Sequence, residues 1–164
     1  MSFGKLLKLF KLNLDENNLK VIPEQISQLV KLTDLSLAKN KIAEIENDAL
    51  APLTSLLMLD LHQNNLTNFE SVPNAPKLDQ ILLAFNQLST LSNLERAPNL
   101  SVLDLHNNKL EKLPDTVTNL YHLKTLKISN NSLSDINPKL ALIDSLVRIS
   151  IEGNPLKSFK PAMR

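Results

Sequence analysis

One pattern of leucines and asparagines recurs along almost the whole chain. It has the form L-x-x-L-x-L-x-x-N, where L is Leu or Ile. The copies are spaced 22–24 residues apart and begin at Leu9, Leu32, Leu56, Leu78, Leu100, Leu123 and Leu146. A fixed period of this length predicts a solenoid, in which each repeat is one structural unit that buries its apolar face only by stacking on its neighbours.

Each copy predicts a short β-strand. In the stretch from Val102 to His106 apolar and polar residues alternate, as one buried face of a strand requires. The strands of successive repeats are expected to pair in parallel, with their leucines stacked behind them. We number each repeat from its first leucine, so that the recurring asparagine is position 9.

The asparagine is predicted to be structural. Where each strand ends, the chain must turn inward, which leaves backbone N–H and C=O groups buried without partners. A carboxamide both donates and accepts hydrogen bonds, so a stack of asparagines can satisfy these groups. The predicted ladder consists of Asn17, Asn40, Asn64, Asn86, Asn108, Asn131 and Asn154.

The segments that return from one strand to the next predict a different structure. Apolar residues such as Leu88, Leu91 and Leu94 fall every three residues, a spacing that suits 3₁₀ turns or extended loops better than long α-helices. Prolines also occur here, where no sheet hydrogen bond needs their missing N–H.

These features together resemble the leucine-rich-repeat family from Leu9 to Leu156. The resemblance implies an α/β fold: a curved, right-handed horseshoe arc of seven repeats, with a concave parallel β-sheet and a convex side of short 3₁₀ or helical turns and loops. Residues 1–164 are expected to form one domain, with residues 1–8 as an N-terminal cap and residues 157–164 as the remnant of a C-terminal cap. Phe3, Leu6 and Leu7 would cover one end, and Phe159 and Met163 the other.

The ending Ile151-Glu-Gly-Asn-Pro-Leu-Lys-Ser narrows the resemblance to an intracellular type of the family. It is most similar to the C-terminal repeats in the subfamily of leucine-rich repeat-containing protein forty. A cytoplasmic location is therefore expected, since the N-terminus also has no small-residue cleavage site of a signal peptide.

Composition excludes several classes of partner and chemistry. The formal net charge is only +1, which gives no reason to expect nucleic acid or an anionic membrane as a partner. No apolar run reaches the roughly 20 residues of a membrane-spanning helix. The chain has no Cys, which excludes disulfides, thiolate chemistry and metal sites built on Cys. Its two glycines, Gly4 and Gly153, cannot build a glycine-rich phosphate loop. No cofactor is expected.

The outward positions of the strands, 3, 5, 7 and 8, should form the concave face. An apolar patch lies in its middle, flanked on both sides by an Asp/His pair, and this pattern is typical of a protein-binding surface. The predicted partner-binding residues are Met58, Asp60, His62, Leu82, Ala84, Phe85, Val102, Asp104, His106 and Lys127.

A metal site or an active site is disfavoured by geometry. His62 and His106 lie two repeats apart, so their strands are separated by roughly 10 Å, too far to share one ion. Each Asp/His pair alone offers two ligands, against the three or four that zinc requires. Nothing predicted between Asp60 and Asp104 would raise one pKa for acid–base catalysis, so the protein is expected not to be an enzyme.

Two functional hypotheses remain from the sequence. The first is an adaptor that binds a partner protein on its concave face, with regulation of a phosphatase as one subtype by analogy. The second is a structural component that docks through its ends and convex side, in a cytoskeletal or ciliary assembly. Poorly covered ends would also allow end-to-end self-association.

Overall fold

The structure is a computed structural model, and it describes residues 5–46 and 49–157. Phe3, Phe159 and Met163, which were predicted to cover the two ends of the solenoid, lie outside these residues.

A seven-stranded parallel sheet runs through the described chain, as predicted. Its strands, one from each repeat, lie in the sheet in the order of the repeats. They are β1 (Lys11–Asn13), β2 (Asp34–Ser36), β3 (Met58–Asp60), β5 (Gln80–Leu82), β7 (Val102–Asp104), β8 (Thr125–Lys127) and β9 (Arg148–Ser150). Every strand pairs at the same repeat position as its neighbour, so position 3 always meets position 3.

The leucines behind the sheet form one continuous core from Ile26 to Ile143. The three apolar positions of the central repeats are fully buried, as Leu100, Leu103 and Leu105 show. Because a repeat contacts only its neighbours, this core is a row of stacked layers rather than a sphere.

Repeat length determines the structure of the return segment. The 23-residue repeats that begin at Leu9, Leu100 and Leu123 each carry a five-residue 3₁₀ helix. These helices are Glu24–Gln28, Asp115–Asn119 and Pro138–Leu142. In all three a proline lies at the start of the helix, where a backbone N–H would have no partner within the helix, so no hydrogen bond is lost.

The two 22-residue repeats contain a feature that sequence analysis missed. Here the return begins with short strands, β4 (Asn68–Phe69) and β6 (Thr90–Leu91), which pair in parallel as a second sheet. Because these repeats are one residue shorter than the 23-residue repeats, the chain must be more extended to cover the same path. The two repeats are adjacent and equal in length, so their extended segments lie in register. Only in the later of the two does a 3₁₀ helix follow, at Leu94–Arg96.

Towards both ends of the described chain the apolar side chains are more exposed. Leu6 and Leu7 are 50% and 55% exposed, so they give the first repeat little cover. In the last strand Ile149 is 42% exposed, whereas the equivalent Leu126 of the preceding strand is fully buried. End-to-end self-association stays a prediction.

The chain turns inward after each strand through one left-handed residue at position 8. These residues have φ between 53° and 72° and are Glu16, Lys39, Gln63, Phe85, Asn107, Asn130 and Gly153. The N–H of Phe85 donates to the carbonyl of His106 in the next repeat at 2.9 Å, and the same bond occurs in every repeat but the last. At Gly153 an added Cβ would lie 2.2 Å from Asn130 Oδ1, so this copy of the turn has no room for a side chain.

The asparagine at position 9 links each turn to the preceding repeat. The Asn86 amide donates to the carbonyls of Leu61, Leu83 and Ala84 at 2.9, 3.0 and 3.4 Å. Its carbonyl oxygen accepts from the Leu66 N–H at 3.0 Å. The same bonds recur at Asn64, Asn108 and Asn131. Asn17 at the N-terminal end is exposed and donates only within its own repeat, to Leu14 and Asp15.

Replacing Asn86 should destabilise the fold far more than replacing Asn17. Asn86→Ala leaves the buried N–H of Leu66 without a partner and removes one of the two amide donors to each of the Leu61 and Leu83 carbonyls, so we expect the free energy of unfolding to fall by about 3 kcal/mol. Asn17→Ala removes only exposed bonds and should cost less than about 1 kcal/mol. Urea unfolding of the two variants measures the difference, and equal losses would contradict the account of the ladder.

Candidate functional site: the concave face

The register of the sheet arranges the concave face in rows across the strands. Position 5 forms the row Asp60, Leu82, Asp104 and Lys127. Leu82 therefore lies between two aspartates. Position 3 forms the row Met58, Gln80, Val102 and Thr125.

The predicted apolar patch is smaller than the sequence suggested. Gln80 separates Met58 from Val102, so these two side chains reach Leu82 only along the diagonals of the sheet. Met58, Leu82 and Val102 are half-buried, but Ala84 is buried with 4% exposed and offers almost no contact surface.

Phe85 is the most exposed apolar residue at the centre of the face. It is 48% exposed and occupies the left-handed turn with φ 55°. Its ring meets the ring of His106 edge to face, with centroids 4.8 Å apart. A bulky side chain is disfavoured in this conformation by about 1–2 kcal/mol, and Asn or Gly tolerates it better. The left-handed turn by itself therefore does not favour a phenylalanine here, and the contact with His106 is the one ring packing that folding gains from it.

Two Asp/His dyads flank Leu82 and Phe85. His62 Nδ1 lies 2.7 Å from Asp60 Oδ1, and the same pair of atoms is in hydrogen-bonding contact between His106 and Asp104. Since a carboxylate only accepts, Nδ1 carries the proton in both histidines. Nε2 is then the nitrogen left for a partner, as an acceptor in the neutral ring and a donor in the protonated ring.

The second dyad is extended by a lysine of the next strand. Lys127 Nζ lies 2.9 Å from Asp104 Oδ2, so both oxygens of this carboxylate have partners. The side chain of Asp104 is 8% exposed, against 14% for Asp60. A contacting protein would therefore meet the imidazole of His106 and the ammonium of Lys127 before it met this carboxylate.

An ion pair lies at the N-terminal end of the face, between two turn residues. Lys39 Nζ is 2.6 Å from Glu16 Oε1. This hydrogen bond and the negative charge of Glu16 raise the pKa of Lys39 above its usual value. Both side chains are largely exposed, at 49% and 68%, so solvent and salt screen the pair and it adds little stability.

Within residues 5–46 and 49–157 the concave face offers no metal centre. No group of three or more His, Cys, Asp or Glu side chains in that part of the chain could hold an ion. In the same residues no helix has the length and apolar character to cross a bilayer.

Sequence reasoning missed the left-handed turn, although a signal for it was present. Asn107, Asn130 and Gly153 at position 8 are the residue types that adopt positive φ most readily. Glu16, Lys39 and Gln63 hold the same turn, so what distinguishes Phe85 among the seven copies is that it is the one apolar residue. The bond between Lys127 and Asp104 was also predictable, because both hold position 5 in consecutive repeats.

Neutralising Asp104 should cost more stability than neutralising Asp60. Asp104→Asn weakens the hydrogen bonds that this nearly buried carboxylate accepts from His106 and Lys127, so we expect the free energy of unfolding to fall by about 1–2 kcal/mol; solvent screens the Lys127 ammonium, whose side chain is 40% exposed. Asp60→Asn affects a more exposed carboxylate with one side-chain partner and should cost less than about 1 kcal/mol. Urea unfolding at neutral pH compares them, and an equal or larger loss at Asp60 would contradict this assignment.

Comparison with known proteins adds relatives of this architecture. The family described as "Leucine rich repeat" matches residues 31–88 and 98–156. Bovine keratocan (Bos taurus) is 36% identical over 166 residues, which cover 93% of this chain and 46% of keratocan. The probable inactive serine/threonine-protein kinase roco10 of Dictyostelium discoideum is 34% identical over 131 residues, or 76% of this chain and 5% of roco10.

Solved structures share the fold. An internalin from Listeria monocytogenes superposes with a TM-score of 0.83 at 21% identity, over 97% of this chain and 46% of that one. The plant peptide hormone receptor RGFR1 in complex with RGF2 gives a TM-score of 0.79 at 30% identity, over 93% of this chain and 26% of the receptor chain.

The chain spans less than half the length of keratocan and a small part of roco10. These matches support the family and not the finer likeness to leucine-rich repeat-containing protein forty that the sequence suggested. The intracellular type stays a prediction. With more than half of its residues matched, the chain belongs to the leucine-rich-repeat family.

Proposed function

We propose that this chain is a non-enzymatic adaptor that binds a partner protein on its concave face. The observation that carries the proposal is Phe85, a half-exposed aromatic side chain held in a left-handed turn that favours Asn or Gly. Aromatic residues at the centre of a surface are typical anchors of protein interfaces. RGFR1, a relative in fold, is itself a receptor described with a bound peptide hormone.

The dyads suggest how an extended segment would lie across the face. The strands of His62 and His106 are two steps apart, which places the outward imidazole nitrogens about 10 Å from each other. In a polyproline II segment, residues three apart span about 9 Å and point to the same side. A segment with polar groups at that spacing would bond both histidines and place an apolar side chain against Leu82 and Phe85.

The structure changes the charge expected of the partner. By themselves, the carboxylates of Asp60 and Asp104 would favour a partner with basic flanks. Asp104, however, is buried and fully engaged by His106 and Lys127. The partner is therefore expected to bond imidazole groups and Lys127 at this side, while Asp60, with one oxygen bonded to His62, remains open to a donor.

A second candidate is the structural component that docks through its ends and convex side, and one observation favours it. Val147, Leu142 and Tyr121, at 81%, 73% and 68% exposed, are the most exposed large apolar side chains of the described residues. All three lie near the C-terminal end. Whichever surface is used, the cytoplasmic location, the cytoskeletal or ciliary setting and the regulation of a phosphatase stay predictions.

Phe85→Asn should leave the fold almost as stable as before. Relief of the left-handed strain gains about 1 kcal/mol, and loss of the ring contact with His106 costs about as much. We expect the free energy of unfolding to change by less than about 1 kcal/mol in urea titrations. Leu83→Ala, in the adjacent core, should cost about 2–5 kcal/mol and calibrates the assay. A loss of that size at Phe85 would mean that the aromatic ring serves folding.

The same substitution should remove partner binding. We would capture partners from native lysate with the intact chain, Phe85→Asn, Leu82→Arg and the matched surface variant Leu142→Arg, and quantify them by mass spectrometry. The adaptor proposal expects one partner whose recovery falls more than about tenfold with both concave variants and is unchanged with Leu142→Arg. Loss with Leu142→Arg alone would instead support the structural component.

A further inference from the structure

A second surface lies outside the concave face, on the edge where the chain enters the strands. A depression of about 350 Å³ spans repeats one to three on this edge. Its apolar lining consists of Phe10, Leu57 and Pro76. Phe10 is 57% exposed and Leu57 41% exposed, although neither is needed to fill the core. The volume is at the lower limit of common ligand sites and suits one or two residues of a bound chain.

The charge of this depression has one sign. Lys31 and Lys77 line it, and each lies directly before the first leucine of the following repeat. No carboxylate lines the depression. In the described part of the chain neither lysine forms an ion pair. The nearby Asp34 does not neutralise them, because its carboxylate already bonds Lys11 at 3.4 Å and Thr33 Oγ1 at 2.7 Å.

The backbone along this edge is already satisfied. The N–H of Thr33 donates to the Phe10 carbonyl at 2.7 Å, and the N–H of Leu57 donates to the Thr33 carbonyl at 2.8 Å. A strand therefore cannot add to the edge by backbone bonding at these groups. What remains for a ligand is the apolar lining, the two ammonium groups and the hydroxyls of Thr54 and Ser55.

We propose that this depression binds an acidic segment of a partner protein in which a bulky apolar residue is followed directly by carboxylates. The apolar side chain fills the space between Phe10 and Leu57. The carboxylates meet Lys31 and Lys77, whose strands are separated by about 10 Å. Charge complementarity selects this occupant, since the lining has two unpaired cations and no anion.

Two other occupants fit the surface less well. A membrane would require apolar side chains that protrude, whereas these line a recess. A nucleic acid would require several stacked aromatic residues and a longer basic track, and Phe10 is the one aromatic residue in this lining.

The test is an NMR titration of the ¹⁵N-labelled full chain with an acetylated peptide that contains the core Phe-Glu-Glu. We expect the amides of Thr33, Ser55 and Leu57 to shift, and the apparent affinity to fall as salt is added. Peptides with the cores Phe-Gln-Gln and Ala-Glu-Glu should bind at least about tenfold more weakly, since each lacks one half of the recognition.

Matched variants separate this surface from the rest of the chain. Lys31→Glu with Lys77→Glu should weaken binding of the Phe-Glu-Glu peptide about tenfold or more, because both cations become repulsive. Lys112→Glu with Lys124→Glu, two exposed lysines elsewhere, should leave it unchanged. Phe85→Asn should also have no effect, so that this result is independent of the concave face.

Three results would overturn the proposal. The first is the absence of any shift at millimolar peptide. The second is equal binding of the Phe-Gln-Gln peptide, which would remove the role of charge. The third is sedimentation of the chain with phosphatidylserine vesicles that is lost in the Lys31 and Lys77 double variant, together with no peptide binding, since this would identify a lipid surface as the occupant.

Discussion

The inward turn at the end of each strand is the constraint on which the rest of this structure depends. A chain that leaves a parallel sheet towards its own core takes polar backbone into an apolar layer, and each unpaired group there costs about 1–3 kcal/mol. The solenoid meets this cost with a left-handed residue at position 8 and an asparagine at position 9. Asn86 shows how the asparagine works, because its carboxamide bonds backbone groups of its own repeat and of the one before it.

This constraint also divides the repeat into fixed and free positions. The leucines and the asparagine are determined by burial and hydrogen bonding, whereas positions 3 and 5 point away from the core and position 8 requires only a tolerable φ. The concave face is therefore the part of the molecule in which side chains can vary without changing the fold. Phe85 is the one apolar side chain among the seven residues at position 8, and it is half-exposed, which is why we assign it to binding.

The main sheet was predictable because a pattern with a fixed period leaves few alternatives: seven strands in register follow from seven copies in register. The second sheet of β4 and β6 was not predicted, because two-residue strands carry no periodic signal of their own and form only when two short repeats are adjacent. The burial of Ala84 and Asp104 was also beyond the pattern. The burial of Asp104 depends on its contacts with the side chains of His106 and Lys127.

The most direct test of the account is to find which face touches a partner in the native setting. A photo-crosslinking amino acid would replace Leu82 on the concave face or, in a matched variant, Ala141 on the 3₁₀ helix Pro138–Leu142 of the convex side. The account predicts a discrete crosslinked partner from position 82 and none of comparable yield from position 141. A partner crosslinked from position 141, with position 82 silent, would contradict the assignment of function to the concave face.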